Sequence, residues 1–132
     1  MTLVDTNVLL DILTNDQPWK AWSIRQLDLA TLRGPIIIND LVYAELSVGF
    51  RSIETLDAAL KEARVTFRTI PRAALFLAGK AFRSYRANGG ARTSLLPDFF
   101  IGAHAAVAGW PLLTRDTRRY RSYFPTVELL TP

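Results

Sequence analysis

Residues 3–13 read LVDTNVLLDIL: a short apolar run, then the polar triplet Asp5-Thr6-Asn7, then apolar residues at helical spacing. An extended segment that turns directly into a helix is a strand-to-helix junction, and the triplet falls on its turn. Thr6 or Asn7 suits the N-cap, because a short side-chain oxygen can accept the free N–H groups of a first turn. In parallel α/β sheets ligands gather beyond the carboxyl ends of the strands, which is where such a turn lies.

Outward from this junction the same alternation recurs. Strand one is expected at Thr2–Asp5, with its helix stopping near Asn15. Pro18 suits the first turn of a second helix, PWKAWSIRQLDLATLR, which Gly34 closes. PIIIN is a continuous apolar run of the kind covered on both faces of a sheet. Asn39 or Asp40 caps LVYAELSVGF, and SIETLDAALKEA puts Leu56, Ala59, Leu60 and Ala63 along one side of a further helix. VTFRTI reads as strand three and PRAALFLAGKAFRSYRAN as a helix ended by Gly89-Gly90. The basic loop GGARTSLL leads to PDFFIGAHAAVAGW, a helix with Pro97 in its first turn. PLLT is strand four, RDTRRYRSYF a short helix or loop, and VELL an edge strand. Strands separated by helices of this length imply right-handed crossovers. The expected fold is a three-layer α/β/α sandwich around a central, mostly parallel sheet of four or five strands, with residues 1–132 forming one domain.

Composition narrows the chemistry. The chain has no cysteine, which excludes disulfides, thiolate metal sites and a thiol nucleophile and agrees with a reducing compartment. It shows neither a basic leader nor an apolar stretch that would span a bilayer, so a cytoplasmic protein with no membrane partner is expected. Lysine and arginine number 16 against 12 acids, and 13 of the 16 are arginine, whose planar fork suits phosphate.

Four acids stand out by position. Asp5 ends strand one, and Asp116 follows strand four by two residues. Glu45 has Leu41 and Val42 one turn before it and Val48 and Gly49 one turn after, which assigns it to an apolar helix face. A carboxylate buried there without a partner costs several kcal/mol, roughly, or is protonated, and a metal ion would resolve the conflict. The alternative is a helix rotated so that Glu45 reaches solvent. Asp98 lies in a first turn, where the helix dipole favours an acid. Small residues behind it, Gly102 and Ala105, allow close packing against the sheet and would bring Asp98 toward the edge that holds Asp5.

Taken in order, LVDTNVLLDIL, VYAEL, LPDFFIGAHA and LLTRD resemble the four acidic segments of the PIN-domain family, and over the whole chain the spacing resembles that of the small VapC-type toxins of toxin–antitoxin modules. The resemblance implies that Asp5, Glu45, Asp98 and Asp116 hold one or two Mg2+ or Mn2+ ions and act in catalysis, that Thr6 and Asn7 steady Asp5, and that Thr114 is the supporting hydroxyl two residues before the last acid. It implies a metal-dependent endoribonuclease that cuts tRNA or rRNA, leaves a 5'-phosphate and a 3'-hydroxyl, and is neutralised by a VapB-like antitoxin. An oxygen-only ligand set suits these hard cations.

With RNA as substrate, Arg92, Arg115 and Arg118 are the candidate backbone contacts. Tyr120, Tyr123 and Phe124 are either base-stacking or core residues. The resemblance also implies a homodimer, for which the Trp19, Trp22 and Tyr43 region is either the interface or core. Asp11 is either a support or a solvated helix residue, and His104, set among alanines, reads as packing. If the four acids converge, the ion-free site holds like charges, so Asp98→Asn is expected to melt at or above the wild type. The alternative is a catalytically inert PIN module that binds RNA or a protein. Two enzyme rivals fit worse. A haloacid-dehalogenase-like phosphatase needs an aspartate where Asn7 stands, and a phospho-receiver domain needs a lysine that Lys20, Lys61 and Lys80 do not supply.

Overall fold

The computed structural model describes residues 1–93 and 95–132. Five strands are found among them: β1 (Thr2–Val4), β2 (Ile36–Ile38), β3 (Val65–Phe67), β4 (Leu112–Leu113) and β5 (Leu129–Leu130). They form one sheet in the order β3-β2-β1-β4-β5, with every neighbouring pair parallel. Helices α1 (Thr6–Leu13) and α2 (Trp19–Thr31) connect β1 to β2, and α3 (Asp40–Ser47) and α4 (Ile53–Glu62) connect β2 to β3. Helices α5 (Arg72–Ala87) and α6 (Pro97–Ala108) return the chain to β4, and α7 (Arg118–Tyr123) precedes β5.

This order places a topological switch between β1 and β4: the chain leaves β1 toward β2 on one side and comes back beside it on the other. Connections diverge there and leave a crevice at the carboxyl ends. Every residue of β1, β2 and β4 is buried, as expected of strands covered on both faces, whereas Phe67 of the edge strand β3 is exposed. Leu3 lies opposite Leu112 and Val4 opposite Leu113, and the Asp5 N–H donates to the Leu113 carbonyl at 2.9 Å. Asp5 and Thr114 are thereby set side by side.

Several expectations change in detail. The N-cap of α1 is neither Thr6 nor Asn7 but Asp5, because the helix starts directly after the strand. Asn39 caps α3, its side-chain oxygen accepting the Leu41 and Val42 N–H groups, while Asp40 reaches across to accept the Ile70 N–H at 2.7 Å. Pro18 precedes α2 instead of opening it. Leu56 and Leu60 of α4 are buried, but Ala63, the residue after its last turn, is exposed.

Glu45 is exposed, which is the rotated-helix alternative and not the buried apolar face. The residues of α3 that enter the core are Val42 and Leu46, so Glu45 sits on the rim of that stripe and Val48 is left open. Gly102 does provide a close approach, but toward the ring of Phe124 and not the sheet. In the loop GGARTSLL, Arg86 donates to the carbonyls of Gly90 and Arg92, and the Arg92 N–H donates to the Tyr85 hydroxyl; Ser94 lies outside the described residues. No helix among the described residues is long and apolar enough to cross a membrane.

Candidate active site

The site grows from the end of β1. As N-cap of α1, Asp5 accepts the Thr6 N–H on Oδ1 at 2.8 Å, where the helix dipole favours a negative charge. Its Oδ2 accepts the hydroxyls of Thr114 (2.8 Å) and Tyr120 (2.9 Å), with the Asn7 amide more distant at 3.4 Å. All of these donors are neutral. Asp5 is 6% exposed, and burial pushes its carboxyl from 3.8 up to about 6. The hydrogen bonds from Thr114, Tyr120 and Thr6 pull the other way, and the charge of Asp98 adds to the rise. Burial and then the fields of Asp5, Asp98 and Asp116 push the Tyr120 phenol well above its ordinary value. Three of the four acids thus act on one buried hydroxyl, which stays a proton donor.

The other candidates surround this pair. Thr114 also receives the Asp116 N–H at 3.0 Å, so one hydroxyl joins the ends of β1 and β4. Asn7 accepts the Arg115 N–H at 3.2 Å and fastens the same turn to α1. The Asp116 side chain is exposed and accepts the Arg118 N–H. The Thr6 hydroxyl donates to Glu45 at 2.7 Å, which brings an exposed residue of α3 to the Asp5 turn. Asp98, at the start of α6, accepts from Arg119 Nη1 at 2.8 Å, and the guanidinium lies 5.4 Å above the Tyr85 ring and 5.6 Å above that of Phe99.

The expectation of uncompensated like charges therefore fails at Asp98, which Arg119 neutralises. As the side chains stand, no group of three or more acidic or histidine residues among those described could hold one ion. The donor chemistry nevertheless fits a hard divalent cation: every candidate ligand atom is a carboxylate oxygen. The innermost carboxylate is buried among neutral donors and raised to about 6, so it would gain from a cation.

Sequence reasoning left four residues without their roles. Tyr120, a candidate for stacking bases, is 1% exposed and committed to Asp5. Asp11 is 1% exposed and accepts from Ser23 and from both Nε and Nη2 of Arg115, at 2.7 and 2.8 Å. Arg115, expected on the RNA path, thus has its fork committed to Asp11, and its guanidinium rests 4.8 Å from the centre of the Trp19 ring. Asp11 follows Asn7 and Val8 at helical spacing, the one signal that could have placed it on an inward face and settled the choice between support and solvated residue. Arg119 carried no sequence signal that set it apart from its arginine neighbours.

Arg92 and Arg118 are exposed, and Arg118 and Arg119 line a cleft of about 350 Å³ with Tyr85, Asp116, Ser122 and Tyr123. His104 is buried. The Asn39 side-chain oxygen is taken by two N–H groups, so its amide nitrogen is the donor toward His104 Nδ1 at 3.2 Å. The imidazole packs 5.1 Å from Trp110, and burial lowers its pKa. It is a packed core residue, as its sequence surroundings indicated.

Comparison with known proteins matches residues 2–125 to the family described as PIN domain. No curated protein sequence matches the chain. Among solved structures, VapBC2 of Rickettsia felis bound to a promoter DNA fragment superposes with a TM-score of 0.74 at 19% identity, covering 99% of this chain and 98% of that one. VapBC-1 of nontypeable Haemophilus influenzae gives 0.71 at 16% identity, covering 98% and 96%. A toxin–antitoxin complex of Klebsiella pneumoniae gives 0.67 at 21% identity, covering 100% and 98%. At these identities the structures share the fold.

Proposed function

The chain belongs to the PIN-domain family, and from that we propose that it is a VapC-like toxin: a single nuclease domain that hydrolyses RNA phosphodiester bonds with Mg2+ or Mn2+. The observation that carries this reading is Asp5, a carboxylate buried at the switch point of the sheet, with Asp98 and Asp116 near enough to act on its partner Tyr120. Asp5, Glu45, Asp98 and Asp116 are the proposed ligands and catalytic acids. When bound by these carboxylates, a divalent ion would supply a water of lowered pKa and charge to offset a non-bridging phosphate oxygen.

The chain's own residues supply the positioning. Thr114 and Tyr120 fix the Asp5 carboxylate by donating to the same oxygen. Thr6 holds Glu45, and Asn7 ties the loop that carries Asp116 to α1. Arg118, exposed beside Asp116, and Arg92, exposed and joined through its N–H to the hydroxyl of Tyr85 in the cleft wall, are the proposed contacts to the RNA backbone. The products are a 5'-phosphate and a 3'-hydroxyl, and tRNA or rRNA is the proposed substrate class.

The VapBC complexes of Rickettsia felis and Haemophilus influenzae support a VapB-like antitoxin as partner. A homodimer is proposed as well. Trp19 and Trp22 pack edge to face at 6.1 Å and are half-buried in the free chain, which leaves area for such an interface. A free protein that sediments as a monomer at micromolar concentration overturns the dimer alone. For the activity, the purified protein without its partner should cleave RNA in Mg2+ or Mn2+ and stop in EDTA. Cleavage that persists in EDTA overturns the metal requirement. RNA bound but never cut favours the inert module.

A further inference from the structure

Among the described residues, Arg119 is the one cationic side chain in contact with any of the four proposed ligands. Asp5 has neutral donors, Glu45 has the Thr6 hydroxyl and Asp116 has a backbone N–H. Asp98 alone is held by a full positive charge, at 2.8 Å.

We propose that Arg119 is the internal counter-ion of the nuclease site: its guanidinium holds Asp98 while no divalent ion is bound, yields the carboxylate to the ion, and then serves the RNA phosphate from the cleft beside Asp116. This rests on the nuclease reading above and adds an order of events to it.

Three features carry the inference. A guanidinium and a divalent cation repel, so an Asp98 oxygen engaged by Arg119 at hydrogen-bond distance is withheld from an ion shared with Asp5. The pair is not locked: the two side chains are 29% and 27% exposed, where ion pairs are weak and exchangeable. Arg119 also has a second hold that does not depend on Asp98, the faces of Tyr85 and Phe99, so breaking the pair does not cast the side chain into solvent. From that platform it already borders the cleft together with Asp116 and Arg118. Arginine is suited to both posts, since its planar fork matches carboxylate and phosphate alike.

The consequence is that ion affinity is set by competition with a residue of the same chain. Mn2+ titration of the full chain without RNA, followed by calorimetry or by the electron spin resonance of free Mn2+, reads this directly. Arg119→Gln should bind Mn2+ about fivefold more tightly than wild type, the scale of losing one partly exposed ion pair. Arg119→Met, which keeps an apolar stem against the two rings, should do the same and serves if the glutamine variant folds poorly. Arg121→Gln removes an equal charge from the same helix at a position without contact to the acids, and should leave the affinity at the wild-type value.

In RNA cleavage, Arg119→Gln should raise KM more than it lowers kcat. Mn2+ affinity that is unchanged or weaker in both Arg119 variants overturns the proposal, as does equal tightening in Arg121→Gln, which would reduce the effect to general charge. Wild type that binds no Mn2+ removes the nuclease reading itself, so the two failures are distinguishable.

Discussion

Asp5 and Tyr120 carry the strongest residue-scale consequence. The folded state holds the Asp5 proton more tightly than the unfolded chain, because burial raises the carboxyl from 3.8 to about 6. The stability this confers is complete below about pH 4 and lost as pH rises through 6, a change of roughly 3 kcal/mol. In chelator, the stability of Asp5→Asn relative to wild type should therefore grow by about that amount between pH 4 and pH 7, read by urea denaturation. His104 has the opposite sign. Burial lowers its pKa, so its contribution is present above 6.5 and lost as pH falls, and Asp5→Asn should retain that acid-side loss. Tyr120→Phe deletes a donor to the charged carboxylate and should cost about 1.5–3 kcal/mol at pH 7. The cost should shrink at pH 4.5, where the protonated carboxyl is a poorer acceptor. An equal loss at both values would mean that the hydroxyl does not serve the ionised form.

At the scale of elements, the segment after β4 is held to α1 and α2 by Arg115. Asp11 is buried, so Arg115→Met strands a carboxylate and should destabilise by about 3 kcal/mol or more, measured by urea denaturation. Asp11→Leu combined with Arg115→Met should recover much of the loss, since an apolar pair leaves no buried charge. Had Arg115 chiefly served RNA, the single change would raise KM and spare stability. Helix α6, which carries Asp98, is positioned by a close approach: a Cβ at Gly102 would enter the Phe124 ring. Gly102→Ala should accordingly cost about 1–3 kcal/mol through overpacking. A thermal melt that matches wild type would show that Phe124 can move aside.

For the whole molecule, parallel strands on both sides of a switch point bring together acids separated by more than a hundred residues of chain. An ion that binds only this assembled state stabilises it by mass action. Mn2+ at 100 times its dissociation constant should add about 2.7 kcal/mol to the unfolding free energy, and EDTA should remove it. The Arg119 pair changes what Asp98→Asn should do. Losing a partly exposed ion pair costs about 0.2–1 kcal/mol, which offsets the relief of repulsion, so the ion-free variant should melt close to wild type and not above it. Its Mn2+ shift should be much reduced. An undiminished shift would exclude Asp98 from the ligand set.

The alternation of strands and helices, the parallel sheet and the placement of Asp5 and Asp116 at strand ends were legible in the sequence, because hydrophobic periodicity and turn chemistry are local and act through neighbouring residues. The four acidic segments were legible for the same reason, each being a short run with its own spacing. Only the tertiary structure decided which partners those acids have. Sequence spacing left Glu45 between an apolar face and solvent, and the rotation of α3 about Val42 and Leu46 exposes it and leaves Thr6 to hold it. Arg115 and Arg119 belong to one arginine-rich run, yet one clamps a buried aspartate and the other covers a partly exposed one. Tyr120 reaches Asp5 across 115 residues. Long-range pairing of this kind depends on the distances the folded sheet imposes, and no local pattern in the chain encodes it.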